Sequence, residues 1–201
     1  MGFKLFNIEF YFSYFWFCFL ALIFITDKTG LAYLIFLAAF LHEAGHLIAM
    51  CLLKSKPKSI KFGLGSINIY GNVSFCDFHD FLIEFSGPLL NFICFLGFLL
   101  IFKIFKYKIL IYFSAVNLIF CCFNLLPVLN LDGGDILKFI LNKFLSVRIC
   151  DIILKTLTVL ILTAFIFYGF YACFKSRNYS IVITGICLLI IAVLTENKKK
   201  R

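Results

Sequence analysis

Apolar runs of bilayer length, separated by short polar breaks, set the rhythm of this sequence. They extend over Ile8 to Thr26, Leu31 to Leu53, Phe81 to Phe102, Ile109 to Leu126, a run starting near Ile149, and Ser180 to Thr195. About 20 apolar residues cross a hydrocarbon core as a helix. The pattern therefore predicts an all-α polytopic membrane protein with about six transmembrane helices. The first run follows a short start with one Lys and lacks a small-x-small cleavage site, so it reads as a retained anchor. Residues 54–80 form the one sizeable polar connection between early spans. Inside it, Ile60 to Gly71 alternates and is punctuated by glycine. A short β-hairpin between the second and third helices fits that pattern, and a plain glycine-rich loop fits it equally. After the fourth span a short amphipathic stretch runs to about Leu145, and Asp151 and Lys155 stand at pairing distance on the fifth.

Composition narrows the class. The chain has 201 residues, 63% hydrophobic and 19% aromatic with 29 Phe, and only 14% charged. A soluble core of this size could not hide so much apolar surface, so lipid is the solvent. The net charge of +9 does not point to nucleic acid. The lysines gather at the ends of apolar runs, where anionic lipid head groups are the better partner. Lys and Arg are in roughly twofold excess on the side holding both termini, and the positive-inside rule makes that side the cytoplasm. Nine cysteines without a C-x-x-C pair suggest neither a disulfide framework nor a cysteine metal site.

Chemistry enters with Leu41-His42-Glu43-Ala44-Gly45-His46-Leu47, in the middle of the second run. Histidines four apart share one helix face, so His42 and His46 can reach one metal ion. Glu43 projects roughly 100° round the helix from His42, close enough to act on a water held there without being a ligand. Ionisable groups in lipid need a compensating partner, and zinc suits this set.

A catalytic zinc usually takes three protein ligands and leaves a fourth position for water. The remaining histidine, His79, is expected on the polar loop, which makes Asp132 the better third candidate. It precedes Gly133 and Gly134, which let the backbone turn tightly. Asp132-Gly133 also fits an ordinary turn; its pairing with an intramembrane H-E-x-x-H favours the ligand.

These residues resemble the site-2 proteases, a family of intramembrane zinc metalloproteases. His42 to His46 matches that family's first motif. Ser86-Gly87-Pro88-Leu89-Leu90-Asn91 is similar to its G-P-x-x-N element, and Asn124 to Gly134 to its N-x-x-P-x-x-x-L-D-G element. The likeness covers roughly residues 31–137, within one transmembrane metalloprotease domain over 1–201 that has no PDZ or CBS domain. It is strongest to the stage IV sporulation protein FB group, which releases a sigma factor from a membrane-bound precursor. One departure is Asn130, two before the aspartate, where the family often has proline. The resemblance implies a membrane-associated hairpin whose edge pairs with an extended substrate, and a membrane-tethered protein substrate, with membrane regulatory partners possible.

The resulting expectation is peptide-bond hydrolysis in or at the edge of the membrane. Zinc is held by His42, His46 and Asp132, and Glu43 is the general base. Asn124 or Asn91 supplies an oxyanion donor, although interhelical hydrogen bonding explains both asparagines as well. A membrane zinc transporter is the rival from another class. It would need further His or acidic ligands along other spans, and the chain has only three histidines.

Overall fold

The computed structural model describes residues 2–5, 8–12, 25, 27, 30–55, 57–63, 66–71 and 77–176. Two compact units divide the chain, Met1–Asn124 and Leu125–Arg201. Among the described residues, three helices are long and apolar enough to cross a membrane, Leu31–Leu52, Phe78–Phe105 and Val147–Tyr171. Lys108–Asn124 is a shorter apolar helix. This is a multi-pass membrane protein. The expected sixth span, and residues 13–24 of the first, lie outside the described residues.

The described residues of the first unit include four strands and three helices. Strands β1 (Gly2–Leu5), β2 (Ile8–Phe12), β3 (Pro57–Gly63) and β4 (Ser66–Gly71) form one sheet in that order. β1 pairs antiparallel with β2, β2 parallel with β3, and β3 antiparallel with β4. The alternating segment 60–71 thus lies in an antiparallel pair, with Ile60 opposite Ile69 and Phe62 opposite Ile67. The N-terminal strands correct the sequence reading, since Ile8 to Phe12 is not the beginning of a span. A span beginning at Ile8 would carry Glu9 into lipid; as a strand, β2 places it opposite Lys4 in the register.

Helix α1 (Leu31–Leu52) begins where Asp27 Oδ2 accepts the Ala32 N–H at 2.8 Å, an anion at the positive end of the helix dipole. It ends in a Schellman motif. Lys54 takes the left-handed conformation (φ 56), its N–H donates to Cys51 O at 3.2 Å, and that of Ser55 donates to Met50 O at 2.9 Å. Helix α2 (Asp77–Phe105) runs unbroken through Pro88. His79 belongs to the first turns of α2 rather than to a loop. Lys106, again left-handed (φ 60), turns the chain into α3 (Lys108–Asn124).

The packing of these helices is that of a membrane bundle. Buried between them are small or polar side chains, among them Ala38, Asn91, Ser114 and Asn117, while Tyr33, Phe40, Ile48, Leu100 and Ile104 face outward. Lipid offers no hydrophobic drive to helix association, so close approach and hydrogen bonds hold such interfaces. Ser114 Oγ donates to Phe95 O at 2.8 Å across α2 and α3, and the Phe98 and Phe113 rings meet edge-on at 4.6 Å.

The second unit has α4 (Asp132–Asn142) and α5 (Val147–Ser176). The amphipathic stretch ends at Asn142, three residues short of the expected Leu145. Asp151 accepts from Lys138 Nζ at 2.6 Å, a partner on α4 that helical spacing alone did not suggest. Val128, Cys150, Leu154 and Leu162 are buried apolar residues among those described in this unit.

Candidate metal centre

His42 and His46 sit one turn apart on α1, both buried. Their Nε2 atoms converge to 3.2 Å and their rings meet edge-on at 4.8 Å. Two nitrogens bound to one tetrahedral zinc at about 2.0–2.1 Å stand about 3.3 Å apart, so the pair already has the separation that zinc requires. The other nitrogen of His46, Nδ1, lies 2.7 Å from the Ile83 carbonyl of α2. A carbonyl can only accept, so Nδ1 carries the proton and Nε2 presents its lone pair. Ser86 Oγ donates to the same carbonyl at 2.5 Å. The Phe120 ring of α3 stands 6.5 Å from that of His42.

Glycine makes this arrangement sterically possible. A Cβ on Gly87 would fall within 2.8 Å of His42 Cε1 and closer still to His46 Nε2. One on Gly45 would stand 2.6 Å from Ser86 O. Side chains at either position would part α1 from α2 and push the imidazoles aside. The Gly87 of the second motif is therefore the floor under the histidines of the first. Sequence reasoning missed Gly45 and the Ile83 carbonyl. Gly45 could have been found as a small residue on the histidine face; a backbone acceptor leaves no trace in residue types.

Glu43 is half-buried next to His42. Asn91, one turn beyond Gly87, is 0% exposed, and among the described residues neither amide atom has a hydrogen-bond partner. Asn124 ends α3 and donates from Nδ2 to Phe120 O of its own helix at 3.1 Å.

Asp132, in the second unit, is the first residue of α4 and follows Leu131 in extended conformation. A carboxylate there faces the positive end of the helix dipole. The glycines after it do not turn the chain, contrary to expectation; they lie in the first helical turn. A Cβ on Gly133 would run into the Leu125 and Leu126 carbonyls, and one on Gly134 into that of Val128. Their role is close approach, with the loop backbone nested on the start of α4. The turn itself is made at Asn130, whose φ is 69. Proline is locked near −65° and cannot take that angle, so Asn130 accompanies a turn different from one built on proline.

Comparison with known proteins followed the same lines. A family model described as Peptidase family M50 matches residues 101–164. The chain is 31% identical over 119 residues to a protein named zinc metalloprotease MJ0392 from Methanocaldococcus jannaschii, covering 55% of this chain and 34% of that protein. It thus spans about a third of the length of that curated relative. The structure of a site-2 protease from Methanocaldococcus jannaschii superposes with a TM-score of 0.69 at 22% identity, over 96% of this chain and 94% of that one. The family model and the curated relative make the chain similar to peptidase family M50 over part of its length, and its fold is that of the solved site-2 protease.

Proposed function

We propose that this protein is an intramembrane zinc metalloprotease that hydrolyses a peptide bond of a membrane-tethered protein. The observation that carries the reading is the convergence of the His42 and His46 Nε2 atoms on a membrane-length helix. Zn2+ is the cofactor, held by His42, His46 and Asp132. In support, His42 and His46 present converging Nε2 atoms, and two imidazoles with one carboxylate suit a catalytic zinc.

Bound zinc supplies a Lewis acid and brings its water's pKa down towards about 7. The Glu43 carboxylate takes that water's proton and returns it to the leaving amine nitrogen. Asn124 keeps a second amide N–H beside the one given to Phe120 O, and this N–H is assigned to the developing oxyanion of the substrate carbonyl. The substrate enters extended and pairs with the edge of the sheet. Because β2 occupies the outer side of β3, β4 is the hairpin strand left to receive it.

The parallel pairing of β2 with β3 also supports a common side for the chain start and residues 57–63. The excess of basic residues supports the further reading that both termini lie in the cytoplasm. All these parts serve one metalloprotease domain, and a sporulation sigma-factor precursor is the substrate suggested by the stage IV sporulation protein FB resemblance.

Glu43→Gln tests the chemistry. It keeps size and hydrogen bonding but removes the base, so cleavage of a co-expressed membrane-tethered precursor should fall by about 10²–10⁴. Zinc content of the same preparation should not change. Wild-type cleavage by a zinc-replete Glu43→Gln protein would refute the mechanism.

A further inference from the structure

The loop that leads to Asp132 is held by a residue outside every motif. We infer that Thr158, in the middle of α5, is a positioning residue for Asp132; the inference rests on the reading of Asp132 as a metal ligand. Thr158 is 3% exposed. Its hydroxyl donates to Leu154 O at 2.8 Å and accepts the backbone N–H of Leu129 at 2.9 Å. Donation to the carbonyl four residues back is ordinary for threonine in a helix, and Thr156 and Thr163 of α5 do the same. The bond from Leu129 sets Thr158 apart, because it ties a loop to the helix.

Leu129 is the second residue of a β-turn from Val128 to Leu131, closed by Leu131 N–H donating to Val128 O at 3.1 Å. The third turn residue is Asn130 with φ 69, the left-handed position that a type II turn gives to Gly or Asn. The turn's own hydrogen bond uses the N–H of Leu131 and leaves that of Leu129 for an outside acceptor, which Thr158 supplies. Leu131 then opens α4, its carbonyl accepting from Gly134 N at 2.9 Å, and Asp132 follows in fixed register. The turn is therefore clamped twice, by Gly133 and Gly134 against the loop carbonyls and by Thr158 on the N–H side. Three residues separate the clamped N–H from Asp132, too few to absorb a shift of the turn.

The test measures zinc affinity by chelator competition in detergent, beside thermal unfolding of the metal-free proteins. Thr158→Val keeps shape and removes the hydroxyl; it should weaken zinc binding by about tenfold or more, in the range for residues that support ligands. Thr158→Ser should restore it, and Thr163→Val should behave as wild type. Asn130→Pro disturbs the same turn without touching α5 and should weaken binding similarly, while Asn130→Gly should not; this pair decides if Thr158→Val does not fold. Wild-type affinity in Thr158→Val or in Asn130→Pro, with Asp132→Ala weakened, would overturn the inference alone. Wild-type affinity in Asp132→Ala would remove the ligand reading and the inference with it. If metal-free Thr158→Val unfolds earlier than Thr163→Val, the Asn130 pair decides: weakened binding in Asn130→Pro beside wild-type binding in Asn130→Gly upholds the inference, and equal binding in the two overturns it.

Discussion

A single missing Cβ decides the reach of each histidine. Gly87 gives its side-chain volume to the two imidazoles, and Gly45 gives its own to the Ser86 carbonyl. Gly87→Ala should therefore displace both rings. Overpacking of this kind costs typically about 1–3 kcal/mol, and the rings are the softer side of the contact. Metal analysis should show lost zinc with only a modest fall in unfolding temperature. Gly97 is the contrasting position on α2, since a Cβ there meets nothing within 4 Å. Gly97→Ala should retain both zinc and stability. Equal zinc content in the two variants would show that the floor under the histidines is not needed.

Elements are joined here by a few polar contacts rather than by a large apolar core. The Lys138–Asp151 pair links α4 to α5, but its side chains are 29% and 44% exposed. Exposed ion pairs contribute about 0–1 kcal/mol. Lys138→Ala should consequently change stability by less than about 1 kcal/mol in a detergent unfolding series. Gly134→Ala should do more damage, because its Cβ would meet the Val128 carbonyl, which cannot move without moving the turn. A larger loss from Lys138→Ala than from Gly134→Ala would reverse this ranking of polar pairing and backbone fit.

At the scale of the molecule, both termini are expected in the cytoplasm. Single cysteines at residues 3 and 199, placed in a background without the native cysteines, should be labelled from the same side by an impermeant reagent. Labelling from opposite sides would defeat the six-span topology. The parallel β2–β3 pairing asks independently that residues 8–12 and 57–63 share a side. A reporter after residue 12 and one in the 57–71 segment should then agree.

Hydrophobic periodicity, a helical spacing of four and three short motifs were enough to read a membrane protein with a histidine pair suited to a metal. Run length against bilayer thickness and histidine spacing against the helical turn are local quantities, so His42, His46 and the helices carrying them are legible one residue after another. The first strands were not legible, because Ile8 to Phe12 runs into the apolar stretch that follows, with Glu9 as its one break. Only pairing with residues 59–62 distinguishes strand from helix there. Gly87 as the floor of the histidine site, Ile83 O as the acceptor that sets the His46 tautomer, and Thr158 as the acceptor for the Leu129 N–H were likewise hidden. Each depends on a contact between residues far apart in the chain, and two of the three contacts use backbone atoms common to every residue. Sequence by itself determined which side chains could do chemistry and how they are spaced along a helix. Tertiary structure alone decided which glycine must stay bare, which nitrogen keeps its proton and which helix holds the turn, because those follow from distances that only folding sets.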